Sequence, residues 1–210
     1  MQQRYQAIEE LLQNLPRGPV VDIGFGAGES LEILAREGFA PLVGYELDAN
    51  AFYQGRHRMA ALGLPCQLWM KDATYLEEIP NATLALIHSR SAFQYFPFHE
   101  LAHTVGRKLR PGGHLVVMVP SLHYYLNWKS HVANLKPSSL WRLFSYPRAV
   151  CRTLLLMAAG WQPGLGGAAP EIAWTAGLVR RFARCAGMDV TSVQHRGWMF
   201  EVVLRKVIAE

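Results

Sequence analysis

The segment VVDIGFGAGES, Val20 to Ser30, constrains the fold of this chain more than any other stretch. Apolar residues and an acid fit the end of a buried strand, and three glycines at alternate positions (Gly24, Gly26, Gly28) then turn the chain into a helix. A strand joined to a helix by such a turn belongs in an α/β sheet, and glycine lets a ligand approach the backbone there. The spacing narrows the ligand. A dinucleotide turn, G-x-G-x-x-G, requires its third glycine at position 29, which holds Glu29. A carboxylate in the first helical turn competes with a pyrophosphate for the positive end of the helix. The turn therefore suits a nucleoside ligand with a positive centre.

The rest of the chain alternates strand and helix patterns. Tyr5, Ile8, Leu11, Leu12 and Leu15 recur at helical spacing, predicting an N-terminal helix within residues 1–17 that Pro16 and Gly18 end. Strands are predicted at 19–23, 41–47, 66–72, 84–89 and 114–119. Between them, Leu31, Leu34 and Ala35 share a helix face ahead of Gly38, Asn50 is placed to cap a helix reaching about Leu62, and His99 to Leu109 is helical. Leu178, Phe182 and Cys185 share a face of a last helix closed by Gly187; a hairpin follows, with its turn at Arg196-Gly197. This alternation predicts an α/β fold, a mostly parallel sheet with helices on both faces, finished by an antiparallel hairpin.

The 210 residues fit one domain, and half are hydrophobic, enough for a substantial core. No apolar run approaches the roughly 20 residues of a membrane span. The N-terminal stretch is amphipathic rather than a leader. Three scattered cysteines, without a C-x-x-C pair, read as reduced thiols of a cytoplasmic protein rather than as metal ligands.

In such a sheet ligands sit at the carboxyl ends of the strands, where the strand order reverses. Glu46 ends the second predicted strand, where a carboxylate can accept two hydrogen bonds from ribose hydroxyls. Asp72 ends the third, placed to accept from an adenine amino group. His88 and Ser89 end the fourth, and Ser121 and His123 follow the fifth. One acid alone would read as a solvated loop carboxylate. Two at successive strand ends, behind a triple-glycine turn, point to a nucleoside site.

With these residues in place, the chain resembles the class I S-adenosylmethionine-dependent methyltransferases, in their small-molecule branch of the ubiquinone and menaquinone biosynthesis type. The resemblance runs through VVDIGFGAGES, GYELDANAF (44–52), Lys71-Asp72, LALIHSRSAFQYF (84–96), LRPGGHLVVMVPS (109–121) and the closing segment from Arg180 to Lys206. Ala85 departs from it, standing where the family often has an aspartate. The resemblance implies a doubly wound, Rossmann-like sheet of seven strands and S-adenosylmethionine as cofactor. It also implies roles. Gly24, Gly26 and Gly28 would admit the methionine end, with backbone groups near Gly24 and His88 meeting its ammonium. Glu46 would hold the ribose, Leu47 would pack on the adenine, and Asp72 with the Ala73 amide would read the adenine edge. Asp22 would orient the glycine turn near the sulfonium, and Arg4 or Tyr5 would cover the carboxylate.

Methyl transfer is an in-line displacement on a carbon activated by positive sulfur, so alignment is the main task, able to supply roughly 7–11 kcal/mol. A general base adds about 10²–10⁴-fold where the acceptor has a proton to lose. His88, His99 and His123 are the candidates by position, and His123, after the fifth strand, leads them. Acceptor specificity falls to the segment Leu122 to Trp174, a helical cap rich in aromatics (Tyr124, Tyr125, Trp128, Trp141, Phe144, Tyr146, Trp161) with a Gly-rich hinge at 164–169. From Leu101 to Pro170 there are eight Lys/Arg and no acid.

Three readings of this segment compete: a cap with a solvated basic rim, an apolar pocket for a hydrophobic, aromatic or anionic small molecule, and an interfacial helix on an anionic membrane that Pro147 interrupts. Nucleic-acid methylation is the alternative enzyme reading, but HSRS stands where an N-P-P-Y motif would be expected. A non-catalytic S-adenosylmethionine-binding protein would also keep Glu46 and Asp72. The acceptor and the oligomeric state are not written in the sequence.

Overall fold

The computed structural model describes residues 9–127, 142–162 and 171–208. Seven strands form one sheet: β1 (Val20–Ile23), β2 (Leu42–Tyr45), β3 (Cys66–Trp69), β4 (Leu84–Arg90), β5 (Leu109–Pro120), β6 (Met188–Arg196) and β7 (Met199–Lys206). Their order is β3-β2-β1-β4-β5-β7-β6. The first five run parallel, and β7 is antiparallel to both β5 and β6. The expected doubly wound sheet with its antiparallel hairpin is therefore present. The order reverses between β1 and β4, which places the ligand end of the sheet over that pair.

Both faces are covered, which is why β1 and nearly all of β4 are buried without polar alternation. Helix α1 (residues 9–13) and α2 (Glu29–Arg36) set Leu12, Ile33 and Leu34 against Val20, Leu86, Val116 and Val203. Helix α3 (Ala49–Ala61) packs beside α2 through Phe52, Met59 and Leu31. On the other face, α4 (Phe98–Lys108) and a last helix, α7 (Ala176–Ala186), carry the larger core. There Phe93, Phe98, Trp174 and Phe182 interlock with ring centroids 5.5 to 6.0 Å apart. Gly187 closes α7 in the left-handed conformation, as the sequence predicts.

Several expected boundaries move. The third strand stops at Trp69 because it is an edge strand and β2 offers only four residues to pair with, so Lys71 and Asp72 stand in the loop beyond it. The cap of α3 is Asp48 rather than Asn50. The Asp48 carboxylate accepts from the Ala51 amide at 2.8 Å, three residues on, and Asn50 lies inside the first turn. The hairpin turns at Gly197-Trp198.

Between β5 and α7 lie α5 (Leu122–Leu126) and α6 (Arg142–Ala159). Tyr125, Tyr146, Ala149 and Ala173 form a small core between them. Their base is stitched to the sheet where Leu122 donates to the Trp174 carbonyl and Trp174 to that of Pro120, both at 3.0 Å. Tyr125 donates to Glu171 Oε1 at 2.8 Å. Burial, reinforced by that carboxylate, pushes the Tyr125 hydroxyl far up in pKa and keeps it a donor. Pro147 does not interrupt α6, contrary to expectation. Its ring faces solvent and removes one backbone bond, while Tyr146 and Ala149 anchor the helix on either side. The Gly-rich stretch 164–169, Trp128 and Trp141, and the N-terminal Arg4 and Tyr5 lie outside the described residues.

Candidate active site

The glycine turn is pinned to β2 by its own amides: Gly24 and Phe25 donate to the Tyr45 carbonyl at 2.8 and 3.3 Å, and Gly28 to that of Phe25 at 2.9 Å. Gly24 has φ +72°, and a Cβ on it would overlap the Ala92 Cβ on the far side of the turn. Phe25 turns downward into the space left by two glycines of neighbouring elements. A Cβ on Gly55 of α3 would stand 2.5 Å from the Phe25 ring and 2.8 Å from the Gly26 carbonyl, and one on Gly44 of β2 would meet the ring at 2.6 Å. Gly44 and Gly55 thus seat the turn, a role the sequence did not reveal because they are remote from the motif.

Glu46 closes the turn from the β2 side. Its Oε2 accepts from the Gly26 amide at 2.9 Å, and its Oε1 accepts from the Leu47 and Asp48 amides at 2.8 and 2.9 Å. The carboxylate is thereby fixed at the rim, with acceptor capacity remaining on Oε2. Across the loop, the exposed Asp72 accepts from the Thr74 amide through Oδ1 at 2.6 Å, next to the buried Ala73. A cleft of about 760 Å³ opens between these groups over the ends of β1 to β4.

Five of the sequence-predicted residues line this cleft: Gly24, Glu46, Leu47, Asp72 and Ala73. Gly26 and Gly28 shape the turn behind it. Asp22 and His88 lie beneath, directly across β1 and β4 from each other, with His88 Nδ1 2.8 Å from Asp22 Oδ1. Both side chains are within 2 % of full burial, and Asp22 Oδ2 has no hydrogen-bond partner among the described residues. The His88 ring is thus turned into the sheet. His123 sits on α5, exposed and stacked on Trp198 at 5.0 Å, outside the lining of the cleft. His99 contacts the Gly160 carbonyl at 3.0 Å. Ser89 and Ser121 serve structure, donating to the carbonyls of Ile23 and Trp198.

The wall opposite Glu46 was missed. Ala92, Tyr95, Phe96 and Pro97, on a 3-10 turn after β4, give the cleft an apolar side. The run F-Q-Y-F-P directly after a strand carried that signal.

Tyr45 and Lys71 form the floor. Tyr45 donates to Glu78 Oε2 at 2.8 Å, and Lys71 pairs with Glu78 Oε1 while its ammonium lies 5.1 Å from the Trp69 ring. The Lys71 and Tyr45 hydrogen bonds hold the Glu78 carboxyl down to about 2, while burial raises the Tyr45 hydroxyl. Glu78 binds its proton less tightly folded than unfolded, so its contribution to stability is complete above about pH 4.5. That contribution is lost as pH falls toward 2. Acid titration of the melting temperature is expected to show this loss, and Glu78→Gln to flatten it. An unchanged pH profile in that variant removes Glu78 from the linkage.

These residues suit S-adenosylmethionine. Asp22 Oδ2, buried and without a partner among the described residues, lies two residues before the turn, the turn leaves no room for a side chain at Gly24, and the two rim carboxylates offer acceptors, while the Lys71 ammonium is taken by Glu78.

Residues 20–113 match the family model described as a methyltransferase domain. Among curated relatives, trans-aconitate 2-methyltransferase of Sinorhizobium fredii is 34 % identical over 109 residues, 51 % of this chain and 40 % of that protein. The enzyme of the same name from Afipia carboxidovorans is 29 % identical over 128 residues, 56 % and 46 % of the two chains. The chain thus spans under half the length of these relatives. Among solved structures, a protein of Pyrococcus horikoshii OT3 superposes with TM-score 0.71 at 16 % identity, covering 98 % of this chain and 90 % of that one. A SAM-dependent methyltransferase from Aquifex aeolicus does so with TM-score 0.63 at 16 % identity, covering 96 % and 88 %. The matched segment holds the glycine turn, Glu46 and Asp72, and the fold is one that S-adenosylmethionine-dependent methyltransferases share.

Proposed function

We propose that the chain transfers a methyl group from S-adenosylmethionine to a small-molecule acceptor. The observation that carries this reading is the convergence of the glycine turn, Glu46 and Asp72 on one cleft at the switch point of the sheet. The bound cofactor supplies a methyl carbon activated by a positive sulfur. The chain supplies position. Glu46 holds the ribose hydroxyls, Asp72 with the Ala73 amide reads the adenine edge, and Leu47 and Phe96 enclose the ring. Asp22, held by His88, keeps the end of β1 and the turn after it in place. Alignment of this kind supplies the larger part of the rate in this reading, and no histidine is among the residues that line the cleft.

The acceptor enters from the α5–α6 side. Gln162, beyond the end of α6, accepts from the Phe98 amide at 2.7 Å and so fixes that helix beside the Pro97 wall. The trans-aconitate activity that the relatives are named for supports a small, anionic acceptor. Isothermal titration tests the reading. Micromolar binding of S-adenosylmethionine and of its demethylated product is expected. Absence of heat with both overturns it. Turnover of labelled cofactor with small carboxylic acids, and none with RNA or DNA, separates a small-molecule enzyme from a nucleic-acid one.

A further inference from the structure

We propose that the outer face of α6 docks on an anionic lipid bilayer. The inner face of this helix is spent on the protein: Tyr146, Ala149, Thr153 and Leu156 are buried. Its outer face is also apolar. Leu154 is 53 % exposed, Leu155 40 %, and Trp161, just past the helix, 60 %. Cys151, Leu154 and Ala158 recur at three- and four-residue spacing and share that face with Arg148, Leu155 and Pro147.

Charge selects the occupant. In residues 142–188 the side chains of Arg148, Arg180 and Arg184 are exposed against one acid, Glu171, which takes the Tyr125 hydroxyl, while Arg152 is buried. Arg148 is exposed at one end of the apolar stripe. At the other end Arg181 donates to the Leu156 carbonyl at 2.6 Å and packs on Gly160. The next acid, Asp189, lies away from the stripe in a hollow with Arg180 and Arg184. A second copy on this face would set arginine against arginine. A surface of lipid phosphates matches it, with Leu154, Leu155 and Trp161 entering the acyl boundary and the arginine heads at the phosphates. No helix among the described residues is long and apolar enough to cross a membrane, so α6 would lie on the surface.

The test is co-sedimentation of the full chain with vesicles of phosphatidylcholine, alone or mixed with phosphatidylglycerol. Binding is expected only with the anionic mixture, weakening as salt rises. The double variant Leu154→Glu/Leu155→Glu is expected to lose roughly tenfold or more in partition with its melting temperature unchanged. Arg148→Glu is expected to lower both affinity and salt dependence. Trp161 reports the face directly: the vesicle-induced blue shift of emission is expected to vanish in Trp161→Phe. The proposal is overturned by any one of three results: no binding to the anionic vesicles, equal binding by the leucine variant, or a dimer in light scattering that the leucine variant dissolves while vesicles are ignored. Cofactor titration reads none of these, so failure here leaves the methyltransferase reading standing.

Discussion

Gly24→Ala is expected to weaken S-adenosylmethionine binding by two to three orders of magnitude. Two costs combine at this position. Its φ of +72° is left-handed, which costs a non-glycine residue about 1–2 kcal/mol. The new methyl also overlaps the Ala92 Cβ, and an overpacked contact typically costs about 1–3 kcal/mol. Relief requires either the turn or the 3-10 segment to move, and both line the cleft. The sum, roughly 3–4 kcal/mol, corresponds to about 100- to 1,000-fold in Kd. The two costs are separable. Ala92→Gly in the Gly24→Ala background removes the overlap and leaves the backbone strain, so the double variant is expected to recover to about tenfold below the parent. Titration calorimetry on the four proteins measures this cycle. Additive losses would show that the overlap with Ala92 is not the cause.

Glu46→Ala is expected to cost about 3 kcal/mol of cofactor binding, on the order of 100-fold. The substitution removes the acceptor for the ribose hydroxyls. It also leaves the amides of Gly26, Leu47 and Asp48 without the carboxylate that gathers them, which loosens the turn and the start of α3. Glu46→Gln keeps one carbonyl oxygen for the Leu47 and Asp48 amides but points an NH₂ group at the Gly26 amide. An intermediate loss of about tenfold is therefore expected. Unchanged calorimetric affinity in the alanine variant would falsify the ribose assignment, and a fall in melting temperature alone would make Glu46 a structural clasp.

Particular residues show how far the sequence could be read. Glu46, Asp72 and the glycines were legible because each stands at or just beyond a strand that periodicity locates and carries a group whose chemistry is local. Asp48 was missed as a cap because Asn50 competes for the role two residues on, and only backbone geometry decides between them. Gly44 and Gly55 were invisible because their purpose, room for the Phe25 ring, joins three elements far apart in the chain. His88 and His123 were grouped by position after their strands. Folding separated them, burying the first against Asp22 and stacking the second on Trp198.

The sequence by itself determined the strand-helix alternation, the ligand end of the sheet and the acceptor-rich character of the glycine turn, because apolar periodicity, positive-φ glycines and strand-end acids are encoded within a few residues. The tertiary structure alone decided which wall faces those acids, which histidine is buried, and that α6 runs straight through Pro147 with an apolar outer face. Each of these depends on contacts between segments tens of residues apart, whose free energies outweigh any local preference.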